Sequence, residues 1–240
     1  MGQVSQQRRT AFSDSALVRL LLGLAQADVR EPRQATADQL SQWFGWTDAI
    51  SLSAALDGGA SGLPSAGRSA PGAEERECAR VRTALAKAIG EDATWRRGGK
   101  NADAEPDFTP YRRRYLAQQQ ALDAAVGPLR ARLRARLAAR SPAMARLASV
   151  DVVMEQVLAP RERSFLAAVP GLLEKHFERL RSAAAAAPDP AEAPGPPGPW
   201  LDAFHNDIRN VLLAELDFRF QPVEGLLDAL RMRQPKECHE

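Results

Sequence analysis

Two cysteines and three histidines are all that 240 residues provide. Cys78 and Cys238 stand too far apart to suggest a disulfide framework, so free thiols in a reducing compartment are the expectation. Two thiols and His176, His205 and His239 cannot make a dedicated zinc site without carboxylates brought from elsewhere. Aromatic residues are scarce as well, at 6%, so the core must be built from Leu, Val and Ala, with the few rings marking the best-packed places. No apolar run approaches the ~20 residues a membrane span needs. Lysine is nearly missing: of 32 basic residues only Lys87, Lys100, Lys175 and Lys236 are lysines, which leaves 28 arginines.

The chemical signatures that carry function are missing in the same way. Gly99-Lys100 lacks both the upstream glycine spacing and the following Ser or Thr of a phosphate loop. Ser61 sits in Gly59-Ala60-Ser61-Gly62 with no strand before it, so there is no nucleophile elbow. No glutamate is followed three residues later by histidine, which excludes the di-iron reading of a helical bundle. The residual catalytic candidates are His205, with Asp202 and Asp207 nearby, and the pair Asp151 and Glu155; a solvated or capping histidine is the simpler reading of the first. The expectation is a protein without cofactor or metal and without enzymatic activity.

What the sequence does contain is helical periodicity. Leu17, Leu20, Leu21 and Leu24 line one face after a start at Ser13, with Phe12 placed to staple it. Asp14 and Arg19 interrupt what would be the apolar region of a signal peptide, so the N-terminus reads as cytoplasmic. Thr36 and Gln39 suit a capping box for a second helix through Leu40, Trp43, Phe44, Trp46 and Ile50, with a break at Gly45 as an alternative. Residues 57–72 are Gly-, Ser- and Ala-rich and read as a disordered linker. A charged helix over 73–96 has Cys78, Val81, Leu85 and Ile89 as its thin apolar edge.

From Tyr111 to Arg140 a leucine stripe of Val126, Leu129, Leu133 and Leu137 passes through Gly127-Pro128 in unbroken phase, which predicts a kink and not a stop. Ser141-Pro142 turns the chain into a second apolar segment over 142–181, which Pro160 and Pro170 should bend or divide. That segment reads as the spine of the molecule. A Pro/Ala-rich linker over 183–199 follows. Helices over 200–232 close the chain: one from Leu201 to Leu216 ending at Pro222, and a short last one carrying Val223, Leu226, Leu227 and Leu230. The fold class is therefore all-α: an elongated bundle on a long kinked helical hairpin, with an N-terminal helical segment over 1–56, a segment over 73–182, and C-terminal helices packing on the hairpin.

Two stretches invite a partner. Trp43, Phe44 and Trp46 are the densest aromatic cluster, suited to a helix–helix contact or to a docking patch. Arg112, Arg113, Arg114, Arg130, Arg132, Arg134, Arg136 and Arg140 face only Asp123 within their own helix. They border the apolar stripe, where Asp151 and Glu155 of the returning helix would answer them. The alternative is that the strip follows nucleic-acid phosphates; only Tyr111 and Tyr115 interleave it, so base stacking is not provided for.

The residues Phe12-Ser13 with Ala16–Leu21, the run Leu40-Ser41-Gln42-Trp43-Phe44-Gly45-Trp46-Thr47-Asp48-Ala49-Ile50, the motif Tyr111–Leu116, and Trp200-Leu201 with Leu212–Leu216 together resemble a bacterial family catalogued as domain of unknown function 3348. The resemblance covers nearly the whole chain, linkers excepted, and brings no catalytic residues. Genes of that family often neighbour a proton-channel pair of the MotA/TolQ type with an OmpA-like peptidoglycan-binding partner. What the resemblance implies is a cytoplasmic accessory protein of such a membrane complex, with a protein partner and room for homo-oligomers.

Overall fold

An apolar residue recurs every third or fourth place from Leu201 to Leu230, and the phase does not change at Pro222. In the computed structural model, which describes residues 15–25, 42–57, 72–91, 107–186 and 199–232, this stretch is one 33-residue helix, Pro199–Arg231. The expected stop at Pro222 is thus corrected. Proline in a helix interior costs about 3 kcal/mol, but buried side chains on both sides of it (Phe220, Val223, Leu226 and Leu227) hold the ladder together.

Seven helices lie wholly among the described residues: α1 Ala16–Ala25, α2 Trp46–Asp57, α3 Ala73–Gly90, α4 Thr109–Ala138, α5 Pro142–Ala167, α6 Val169–Ala185 and α7 Pro199–Arg231; residues 42–43 are helical as well. The described residues contain no strand, and the all-α reading stands. Linker ends shift. The alanine run is helical to Ala185, as its propensity demands, and Pro199 already belongs to α7. The Ser13 cap, the Thr36–Gln39 box and the central parts of both linkers lie outside the described residues.

Several ends have local causes. Asp107 accepts from the Thr109 N–H at 3.1 Å, and Pro110 sits in the first turn of α4. The Thr109 N–H and hydroxyl hold the Asp107 carboxyl below the usual range. Ser141 caps α5 by accepting from the Met144 N–H, with Pro142 next. Gly72, at φ 73°, supplies the left-handed residue ahead of α3. Pro128 and Pro160 both pass inside helices, while the break between α5 and α6 falls at Ala168, just before Pro170.

The spine is not where the sequence suggested. α7 packs against α1, α3, α4 and α6, and its face from Leu201 to Leu230 meets the α4 stripe of Leu122, Val126, Leu129, Leu133 and Leu137. The segment over 142–181 flanks this pair. α5 does form the expected hairpin with α4, but it gives the main core only Ala148 and Leu166 among its buried residues. Its Ala145, Val153 and Val157 are buried outside that core, and α5 is the helix on which α2 lies. α5 has two short apolar faces where the sequence period suggests a single long one.

α3 adheres by its predicted edge, with Cys78 and Ile89 buried, and by ion pairs from Arg82 to Asp217 (2.6 Å) and Glu224 (2.5 Å) on α7. Burial pushes the Cys78 thiol up to about 11, so it stays protonated and unreactive.

Candidate functional site

Three helices carry an interior proline: Pro128 in α4, Pro160 in α5 and Pro222 in α7. Each lacks the N–H that would close the ladder, so each helix has a weakened turn at that point. The three turns converge on one groove of about 850 Å³, lined by Val126, Gly127, Leu158, Ala159, Phe165, Phe218 and Pro222. Its walls also carry Asp123, Glu155, Glu162, Arg130, Arg161, Arg163 and Arg219. Trp43 closes one side, its ring under the Arg161 guanidinium at 4.9 Å.

Behind one wall lies a buried carboxylate. Glu215 is fully buried. Its Oε2 accepts from the Tyr115 hydroxyl at 2.5 Å and from Gln119 Nε2 at 3.1 Å; its Oε1 accepts from Arg219 Nε at 3.0 Å and Nη2 at 2.8 Å. Four donors on one carboxylate make the burial tolerable. Burial, together with the Glu215 charge, holds the Tyr115 phenol well above its ordinary value, so it remains a donor. Arg219 Nη1 turns the other way, donating to Asp123 and lying 3.7 Å from Glu162.

Glu162 shares that single guanidinium, and its carboxyl is pushed up, first by burial and then by the neighbouring Asp123 and Glu215 charges against Arg219 and Arg130. A carboxyl whose folded pKa exceeds its unfolded value binds its proton more tightly in the native state, so stability rises as pH falls through the folded value. Glu162→Gln is therefore expected to raise Tm at neutral pH. The gain should shrink on acidification through the raised carboxyl range. Thermal melts of both proteins across pH check this; a gain that grows on acidification would contradict it.

Between α4 and α5 the charges pair off. Arg130 makes a bidentate pair with Asp151 (2.9 and 2.7 Å), and Arg134 reaches Asp151 at 3.4 Å and Glu155 at 2.5 Å. Asp151 and Glu155 thus answer the arginines of α4, as expected. Arg132 pairs with Glu77 of α3 at 2.7 Å, Arg140 donates to the Leu230 carbonyl, and Arg114 and Arg136 are half-buried. Arg112 and Arg113, near the start of α4, are exposed, as are Arg132 and Arg140 beside their partners. The arginines are therefore not one surface strip, because the helix turns them toward three different neighbours.

The aromatic triplet also separates. Asp48 accepts from the Gly45 N–H at 3.0 Å, the third residue of α2 reaching back to its cap, and this places the break at Gly45. Trp43 goes to the groove, Phe44 is half-buried, and Trp46 is 83% exposed at the start of α2.

His176 and His205 sit elsewhere, among the rings of Phe108, Tyr111, Phe177 and Phe204, and His239 lies outside the described residues. Asp207 pairs not with His205 but with His176, at 2.8 Å from Nε2. His176 Nδ1 accepts from Arg179, which also donates to the Leu24 carbonyl of α1. His205 Nε2 is 3.1 Å from the Tyr111 hydroxyl, with the exposed Asp202 4.0 Å from its Nδ1. Among the described residues no three His, Cys, Asp or Glu are placed to hold a metal ion, and no helix is long and apolar enough to cross a membrane.

Over residues 1–232 the sequence matches the model of a family described as Protein of unknown function (DUF3348). The chain belongs to this family. No curated protein and no solved structure matches it. In this DUF3348 chain those of the quoted family-like residues that are described map onto α1, the turn into α2 with α2 itself, the start of α4 and α7; Phe12, Ser13, Leu40 and Ser41 lie outside the described residues. Glu215 and Tyr115 lie inside two of those stretches. A signal for the Glu215 site is present in the sequence: Glu215 is in phase with Ile208 and Leu212, with Arg219 one turn on. Glu162 gave no such signal.

Proposed function

We propose that the DUF3348 chain is a non-enzymatic interaction protein that docks a protein partner on the face formed by α2 and α5. One observation carries the reading. Of the eight exposed large hydrophobic side chains among the described residues, five (Trp46, Ile50, Leu56, Leu147 and Val152) belong to these two helices. α2 buries none of its residues while it lies against α5, and an exposed tryptophan is a frequent anchor of binding energy. The partner class we favour is the cytoplasmic side of a membrane complex, with the chain as its accessory subunit.

A photo-crosslinking amino acid at position 46 or 50, in cells that make the protein, is expected to give the same adduct from both positions. None is expected from position 83 on α3, which is also exposed. Equal labelling from all three positions, or no adduct from 46 and 50, would remove the proposal. Trp46→Ala should leave stability within about 0.5 kcal/mol, since so little of the ring is covered.

A further inference from the structure

Arg179 of α6 serves two acceptors with one nitrogen. Its Nη2 donates to the Leu24 carbonyl of α1 at 2.7 Å and to His176 Nδ1 at 2.9 Å. A guanidinium only donates, so Nδ1 carries no proton and the neutral ring has its hydrogen on Nε2. Nε2 donates in turn to Asp207 of α7 at 2.8 Å. His176 is itself buried, and few other groups face it. α7 brings the Phe204 ring, its centroid 6.1 Å away, while His205 is turned to the Tyr111 hydroxyl. α4 brings Phe108 and Tyr111 onto the adjacent Phe177 ring, and burial holds the Tyr111 phenol above its ordinary value, so it stays uncharged. Arg19, the single charged residue of α1, is exposed. Within α6, Glu174, Lys175 and Glu178 stand one or two places from His176 and leave the helix on other sides.

We propose that His176 is an acid-sensitive latch for the Leu24 end of α1: the neutral ring braces Arg179 against α1, and the imidazolium releases it. Nε2 donates to the Asp207 carboxylate in either protonation state, which keeps the ring from turning away. A second proton therefore has only Nδ1 to occupy. There it removes the acceptor that Arg179 uses and sets N–H against N–H between two cations, across a contact of 2.9 Å. Arg179 must then swing off, and the Leu24 carbonyl loses its donor. α1 is sensitive to that loss because, over Ala16–Ala25, only Leu17 and Leu21 are buried. Imidazole is the side chain whose ordinary titration lies between about pH 5 and 8, so mild acid suffices. The latch stands apart from the α2–α5 docking reading, and neither result bears on the other.

The test is hydrogen exchange of the full-length protein, read by mass spectrometry at about pH 7.5 and about pH 5.5, a span that brackets ordinary imidazole titration. Labelling times are scaled to the intrinsic exchange rate at each pH. Peptides covering α1 are expected to lose about 10-fold in protection at the lower pH, the effect of one lost hydrogen bond to a charged group, while those of α4 and α7 keep theirs. His176→Asn leaves an acceptor near the Nδ1 position and takes up no proton, so α1 should stay protected at both pH values. Arg179→Met should leave α1 open at both. If His176→Asn does not fold, nitrogen NMR of the unaltered protein decides: Nδ1 of His176 should gain its proton over the same pH range in which α1 opens. Unchanged α1 protection, an equal loss along the whole chain, a pH response that survives in folded His176→Asn or Arg179→Met, or a His176 ring that stays neutral while α1 opens would each overturn the proposal.

Discussion

Glu215→Ala is expected to destabilise the protein by ~3–5 kcal/mol, the range for breaking a buried charge pair from one side. Glu215 is fully buried, and Arg219 is only 10% exposed along its side chain. The substitution removes the acceptor of four donors. The Tyr115 hydroxyl, on a ring with no exposed surface, loses its partner, and each such orphan costs about 1–3 kcal/mol. Asp123 and Glu162 remain beside Arg219 and limit the loss. Glu215→Gln keeps the shape and one acceptor oxygen and should cost less, about 1–3 kcal/mol. Replacing Glu215 and Arg219 together by methionine should cost less than the sum of the single changes, because no uncompensated charge is left inside. Urea unfolding with an unchanged slope reads all of these. A loss below about 1 kcal/mol for Glu215→Ala would mean that water reaches the site and that the network does not hold α4 to α7.

Phe204→Ala is the second large effect, again about 3–5 kcal/mol. Phe204 is fully buried where α4, α6 and α7 meet, with ring centroids of Phe177 at 5.0 Å, Tyr111 at 5.4 Å and Phe108 at 6.2 Å. Removing it loses apolar burial, leaves a cavity bordered by rigid rings that cannot close it, and breaks edge-to-face contacts worth about 0.5–1.5 kcal/mol each. Phe204→Leu should cost under about 1.5 kcal/mol if neighbours repack. Should Phe204→Ala prove no worse than Phe204→Leu, the cluster would be loosely packed, and the junction of the three helices would have to be held by other contacts.

Local rules explain where the sequence was readable and where it was not. The leucine phase through Pro128 in α4 is legible because Val126 before the proline and Leu129, Leu133 and Leu137 after it agree on one face. The same continuity of phase holds in α7 around Pro222, where the burial of Phe220, Val223 and Leu226 outweighs the helix-breaking tendency of proline. The pairing of Asp151 and Glu155 with Arg130 and Arg134 followed from a hairpin that a short turn at Ser141-Pro142 dictates. The pairings of Asp207 with His176 and of Arg219 with Asp123 and Glu162 did not, since they join residues 31, 96 and 57 positions apart on helices whose rotation is set only by packing.

By itself, then, the sequence determined that the described chain is helical, where α4 keeps its phase, and which apolar faces must be covered, because backbone propensity and side-chain period act over one or two turns. It also excluded the phosphate-loop, nucleophile-elbow and di-iron motifs, which are short-range patterns. Tertiary structure alone decided that α7 and not the 142–181 segment is central, that α5 has two buried faces, and that the proline-weakened turns of three helices border a single groove. Those outcomes depend on the relative rotation of helices distant in sequence, and that rotation is fixed by the sum of many burial contacts that no local pattern records.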